Sequence, residues 1–176
     1  MPRTTEPPPS AQDPQGVPRD LVMDIGTVSS TDCAMVVVVD DEPDIAREIA
    51  EGLAADGFQT LVADSAEQVI ALLDRDGGSI AVVVTDLRMP GMDGLGLIRR
   101  LRDPARAGAT PEIVMMSGHA STAEKQAALM AGALAVLNKP FAWDDLARAV
   151  DQGLDLARAR RAGMSVPDSR RNPSQD

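Results

Sequence analysis

Met35-Val36-Val37-Val38-Val39-Asp40-Asp41-Glu42-Pro43 is the stretch on which the fold turns. Its first five residues are apolar without a break and mostly β-branched, as expected of a strand covered on both faces. Three acids follow. Pro43 then suits the first turn of a helix, where a missing N–H costs nothing. A strand, an acidic turn and a helix start therefore succeed one another within a few residues.

Outward from this stretch the same alternation recurs. Ile80–Val84, Ile113–Met116 and Ala133–Leu137 are further apolar runs of strand length, with a weaker one at Thr60–Val62. Between them the apolar residues have helical spacing. Ile45, Ile49 and Leu53 share one face, and Ala66, Val69, Ile70 and Leu73 another, opened by a capping box from Ser65 to Gln68. Leu97, Ile98 and Leu101 make a third stripe, and Leu146, Val150, Leu154 and Ala157 a fifth. The fourth segment, Thr122 to Ala131, is mostly alanine and has the weakest apolar face. Five strands alternating with five helices predict an α/β domain with a doubly wound parallel sheet.

The bulk properties bound the function. At 176 residues the chain suits one domain, and with two Phe, one Trp and no Tyr its core must be aliphatic. A net charge of −10 argues against nucleic acid or an anionic membrane as partner. The lone Cys33 excludes an internal disulfide and suits a reducing cytoplasm. No apolar run has the length of a membrane span, and the N-terminus lacks the apolar stretch of a signal peptide. Residues 1–33 are expected to be a disordered Pro-rich tail, with Leu21–Ile25 as its one apolar patch. Residues 34–160 form the expected domain and 161–176 a second disordered tail. Arg158, Arg160 and Arg161 read as a solvated helix end, where cations are favoured.

The chemistry lies in what ends each strand. The first run ends in Asp40-Asp41-Glu42, the third in Thr85-Asp86, the fourth in Ser117-Gly118 and the fifth in Asn138-Lys139-Pro140. In an open parallel sheet all these ends meet at one edge, where ligands bind. Three carboxylates gathered there repel and call for a cation, and Mg²⁺ suits such oxygen donors. Asp86, at the end of the central run, is then the nucleophile toward phosphorus, and Asp40 and Asp41 are metal holders. Lys139 and the Ser117 hydroxyl can neutralise the remaining phosphoryl oxygens.

Together, Val38-Val39-Asp40-Asp41-Glu42-Pro43, Val84-Thr85-Asp86-Leu87-Arg88-Met89-Pro90-Gly91-Met92-Asp93-Gly94, Met116-Ser117-Gly118-His119 and Leu137-Asn138-Lys139-Pro140-Phe141 resemble the response-regulator receiver family in order and spacing. The resemblance implies a flavodoxin-like five-stranded sheet of order 2-1-3-4-5. It implies phosphorylation of Asp86 by a histidine kinase, a phosphotransfer protein or a small phosphodonor. It also implies the Arg88 main-chain carbonyl as a further Mg²⁺ ligand and a cis Lys139–Pro140 bond. Such a protein is not an enzyme in the ordinary sense, since it catalyses only its own phosphorylation and dephosphorylation. In one place the pattern breaks: Val136 stands where the family usually has Tyr or Phe.

Simpler readings exist for the individual residues. Asp40-Asp41 fits a helix N-terminal cluster, Asp93-Gly94 is turn and cap chemistry, and Trp143 is packing. His119 is read as an exposed loop residue, with the alternative that it and the Arg88 side chain flank the path of a hydrolytic water. Three functions compete. The first is a stand-alone receiver signalling by protein contact, in a phosphorelay or otherwise. The second, a haloacid-dehalogenase-type phosphatase, is excluded because Arg88 occupies the place of its second Asp. The third is a degenerate receiver serving only as a binding module.

Overall fold

Strand and helix alternate from Met35 to Arg161 in a computed structural model that describes residues 34–164 apart from Gly77, Ala107 and Ala109. The elements are β1 (Met35–Val39), α1 (Pro43–Ala55), β2 (Gln59–Ala63), α2 (Ala66–Asp76) and β3 (Ile80–Asp86). They continue with α3 (Gly94–Leu101), β4 (Glu112–Ser117), α4 (Thr122–Ala131), β5 (Ala135–Asn138) and α5 (Trp143–Arg161). All pairings are parallel, and the sheet order is β2-β1-β3-β4-β5. The expected tails and the Leu21–Ile25 patch fall largely outside the described residues.

The unbroken valine runs are explained by two cores. Val37 and Val39 face a cluster with Val69, Leu97 and Ile98, whereas Val36 and Val38 face one with Ile49, Leu53, Leu146 and Val150. Helices α2, α3 and α4 thus cover one face of the sheet, and α1 and α5 the other. With both faces buried, neither residue of an alternating pair can be polar. Strand order reverses at β1, so the crevice between the ends of β1 and β3 is the switch point.

Three local expectations need correction. Ser65 and Gln68 form no reciprocal box: Gln68 Oε1 accepts from the Asp64 N–H at 2.7 Å, and the Ser65 hydroxyl donates to Asp64 at 2.8 Å. A complete box stands instead at α4, between Ser121 and Glu124. The last strand starts at Ala135, not Ala133, because Ala133 N–H closes onto Ala128 O after the left-handed Gly132. Finally, Arg160 and Arg161 are not merely solvated. Arg160 pairs with the buried Glu112, and Arg161 donates to the Gly78 carbonyl.

Helix α4 is the least buried of the five helices. Among its residues only Ala128 is buried, while Leu129 and Met130 face outward. Helix α3 contrasts with it, burying Gly94, Leu97, Ile98 and Leu101, with Asp93 accepting from the Gly96 N–H at 2.7 Å as the expected cap.

Candidate functional site

Four strand ends converge as expected. Asp40 follows β1 and is 1% exposed; Asp86 ends β3 at 7%, and Ser117 ends β4 at 1%. The Lys139 ammonium, just past β5, stands between the two carboxylates. It lies 2.8 Å from Asp40 Oδ2 and 2.7 Å from Asp86 Oδ1. Burial by itself would push this ammonium's pKa down. The hydrogen bonds and charges of Asp40 and Asp86 outweigh that, and it stands above the ordinary lysine value.

The remaining oxygens are held by backbone. Asp40 Oδ1 accepts from the Glu42 N–H at 3.0 Å, and Asp86 Oδ2 from the Arg88 N–H at 2.5 Å. The Thr85 hydroxyl donates to the Asp86 carbonyl at 2.9 Å. Gly94 opens α3 directly against that carbonyl, since a Cβ there would lie 2.3 Å from the oxygen. The Asp86 backbone is therefore clamped between β4, through Leu87 N–H to Met116 O, and the start of α3. Lys139 is fixed in the same way by its N–H to Ser117 O at 2.7 Å, and its bond to Pro140 is cis as expected.

Asp41 stands exposed at the rim beside Asp40. Among the described residues no three His, Cys, Asp or Glu side chains are grouped closely enough to hold a metal. The donor chemistry still fits a hard cation, because Asp40, Asp41, Asp86 and the Arg88 carbonyl offer only oxygen. Mg²⁺ in particular needs few protein ligands and keeps its waters. Residues 88–93 and Gly96 wall an open depression of about 670 Å³, with Met89 and Met92 in its lining.

Two expected neighbours behave differently from each other. His119 is exposed, and its N–H donates to Ser117 Oγ at 3.3 Å. The Arg88 side chain reaches across to pair with Glu124 in the first turn of α4. Neither Glu124 nor Thr85 was singled out from the sequence, although Ser121-Thr122-Ala123-Glu124 carries a capping-box spacing. Val136 is half-buried against the core on the α4 side of the sheet.

Comparison with known proteins agrees with this geometry. The chain matches the response regulator receiver domain over residues 36–151. It belongs to the response regulator receiver family. Its fold is the flavodoxin-like one of that family, which comprises signalling modules of two-component systems. The receiver is 32% identical over 136 residues to the sensor histidine kinase RcsC of Salmonella typhi, covering 77% of this chain and 14% of the kinase. It is 34% identical over 117 residues to a 14.6 kDa protein of Leptolyngbya boryana, covering 66% of this chain and 87% of that one. A receiver domain from Clostridium thermocellum superposes with a TM-score of 0.66 at 27% identity, covering 72% of this chain and 98% of that one. The chain thus spans only about a seventh of the kinase it matches.

Proposed function

We propose that this receiver accepts a phosphoryl group on Asp86 from a histidine kinase or phosphotransfer protein, in the presence of Mg²⁺, and acts as a stand-alone cytoplasmic signalling protein through contact with another protein. The observation that carries the reading is the Lys139 ammonium held between Asp40 and Asp86. One Asp86 oxygen attacks phosphorus, the P–N bond of the donor phosphohistidine breaks, and the leaving imidazole keeps the electron pair and takes a proton from solvent. Clamping of the Asp86 backbone presents the carboxylate in one orientation, so little motion is needed for in-line attack. Lys139 then transfers its attraction from the carboxylate to the phosphoryl oxygens, and the Ser117 hydroxyl can donate to another. Asp40, Asp41, Asp86 and the Arg88 carbonyl would hold Mg²⁺, which when bound neutralises further charge on the phosphoryl group.

Two observations support the wider reading. The Leptolyngbya boryana relative is covered almost end to end, so a receiver with little else attached has precedent. The net charge of −10 disfavours nucleic acid and anionic membrane as partners, and among the described residues no helix is long and apolar enough to cross a membrane.

The test is incubation with acetyl phosphate and Mg²⁺, read by intact mass. Wild type should gain one phosphoryl group and Asp86→Ala none. An unmodified wild type would favour the binding-module alternative, and an adduct persisting on Asp86→Ala would move the acceptor to another residue.

A further inference from the structure

Arg88 touches both the acceptor and helix α4. Its backbone N–H is bonded to the Asp86 carboxylate, 2.5 Å from Oδ2. Its guanidinium pairs with Glu124 on α4. Glu124 is already committed to that helix: its Oε2 accepts from the Ser121 N–H at 2.8 Å and from the Ser121 hydroxyl at 2.7 Å, closing the box that starts α4. These Ser121 hydrogen bonds, helped by the Arg88 charge, hold the Glu124 carboxyl below its ordinary range, so it is ionised whenever the receiver is folded near neutrality. The helix it caps has a single buried residue, Ala128. So slight an apolar anchor leaves the position of α4 sensitive to contacts at its end.

We propose that the Arg88–Glu124 pair is a latch that holds the start of α4 against the β3–α3 loop, and that a phosphoryl group on Asp86 opens it by drawing the guanidinium to itself. The opening half of this inference rests on the function proposed above. A phosphoryl group adds charge and several acceptor oxygens next to the residue whose backbone already touches the carboxylate. Arginine binds such a group bidentately, so the competition with a half-exposed glutamate favours release. The latch also offers a physical route from Asp86 to α4 that needs no aromatic ring at position 136, where this chain has the half-buried Val136.

The test is amide hydrogen exchange over residues 122–131 in the full chain, for wild type, Arg88→Ala and Glu124→Gln, each with and without acetyl phosphate and Mg²⁺. Glu124→Gln keeps an acceptor for the Ser121 N–H while removing the charge. An exposed ion pair contributes modestly, so both variants without phosphodonor should exchange about two- to fivefold faster than wild type in α4. Phosphorylated wild type should move to the same level, and the variants should show no further increase. If α4 exchanges in both untreated variants as slowly as in wild type, the pair is no latch and the inference falls. It falls equally if wild type becomes phosphorylated, by intact mass, and its α4 stays as protected as before. If wild type takes no phosphoryl group, the proposed function and the opening step fail together, while the untreated variants still decide whether the pair holds the helix.

Discussion

The two ends of the sheet bury charge in opposite proportions. At the carboxyl ends of the strands, one ammonium, Lys139, sits between the carboxylates of Asp40 and Asp86. At the amino ends, one carboxylate, Glu112, sits between two guanidinium groups, with Arg102 at 3.5 Å and Arg160 closer still. Burial is equal, since Asp40 and Glu112 are each 1% exposed. What differs is the remainder. Arg102 also donates to Pro111 O at 2.8 Å and to Gly132 O at 3.0 Å, so the lower end ties β4, α5 and the α4–β5 turn into a closed network. The upper end keeps an excess of negative charge, with Asp41 exposed beside it, and opens to solvent. Burial of charge therefore does not by itself mark a site. Unmatched carboxylates facing solvent do, because they leave work for a cation and a phosphoryl group to do.

The comparison can be broken from below first. Glu112→Gln leaves two arginines facing a neutral side chain and should destabilise the receiver by about 3 kcal/mol, since removing one partner of a buried pair exposes the other's desolvation cost. A lowered denaturant midpoint with an unchanged slope would show it, and an unchanged midpoint would mean the lower network is idle. A smaller effect sharpens the upper end. The folded pKa of Lys139 lies above its unfolded value of 10.5, so its contribution to stability is complete below that pH and lost as pH rises through the folded value. The stability difference between wild type and Lys139→Met should therefore be constant from neutrality up to the unfolded value and then change in more alkaline solution. A difference that changes between neutrality and pH 10.5 would contradict the assignment.

The upper end was legible in the sequence because each of its residues is announced by the run before it. The runs Met35–Val39, Ile80–Val84 and Ile113–Met116 lie in strands, and a parallel sheet delivers whatever follows them to one edge. The order of these strand ends thus brings Ser117 and Lys139 together with Asp40 and Asp86 from the sequence alone. The lower network had no such announcement. Glu112 opens its strand behind a proline, Arg102 follows the end of α3, and Arg160 lies in the last turn of a long helix, where it resembled an ordinary solvated cation. Their meeting depends on how closely α5 approaches the sheet, which Gly153 sets: a Cβ there would lie 2.9 Å from Val82 and 3.3 Å from Glu112. Nothing in periodicity encodes that approach. The Arg88–Glu124 pair was missed for a related reason, since a long side chain chooses its partner by geometry across elements and not by spacing along the chain.

The division of labour between the two ends has one direct measurement: the initial rate of phosphoryl incorporation from acetyl phosphate with Mg²⁺ in wild type, Lys139→Met and Glu112→Gln, under conditions where circular dichroism shows all three folded. Loss of the Lys139 charge should lower the rate about a hundredfold, as for other groups that stabilise developing charge. Glu112→Gln, though the less stable variant, should keep the wild-type rate. A Glu112→Gln rate that falls as far as that of Lys139→Met, or a Lys139→Met rate equal to wild type, would contradict the account.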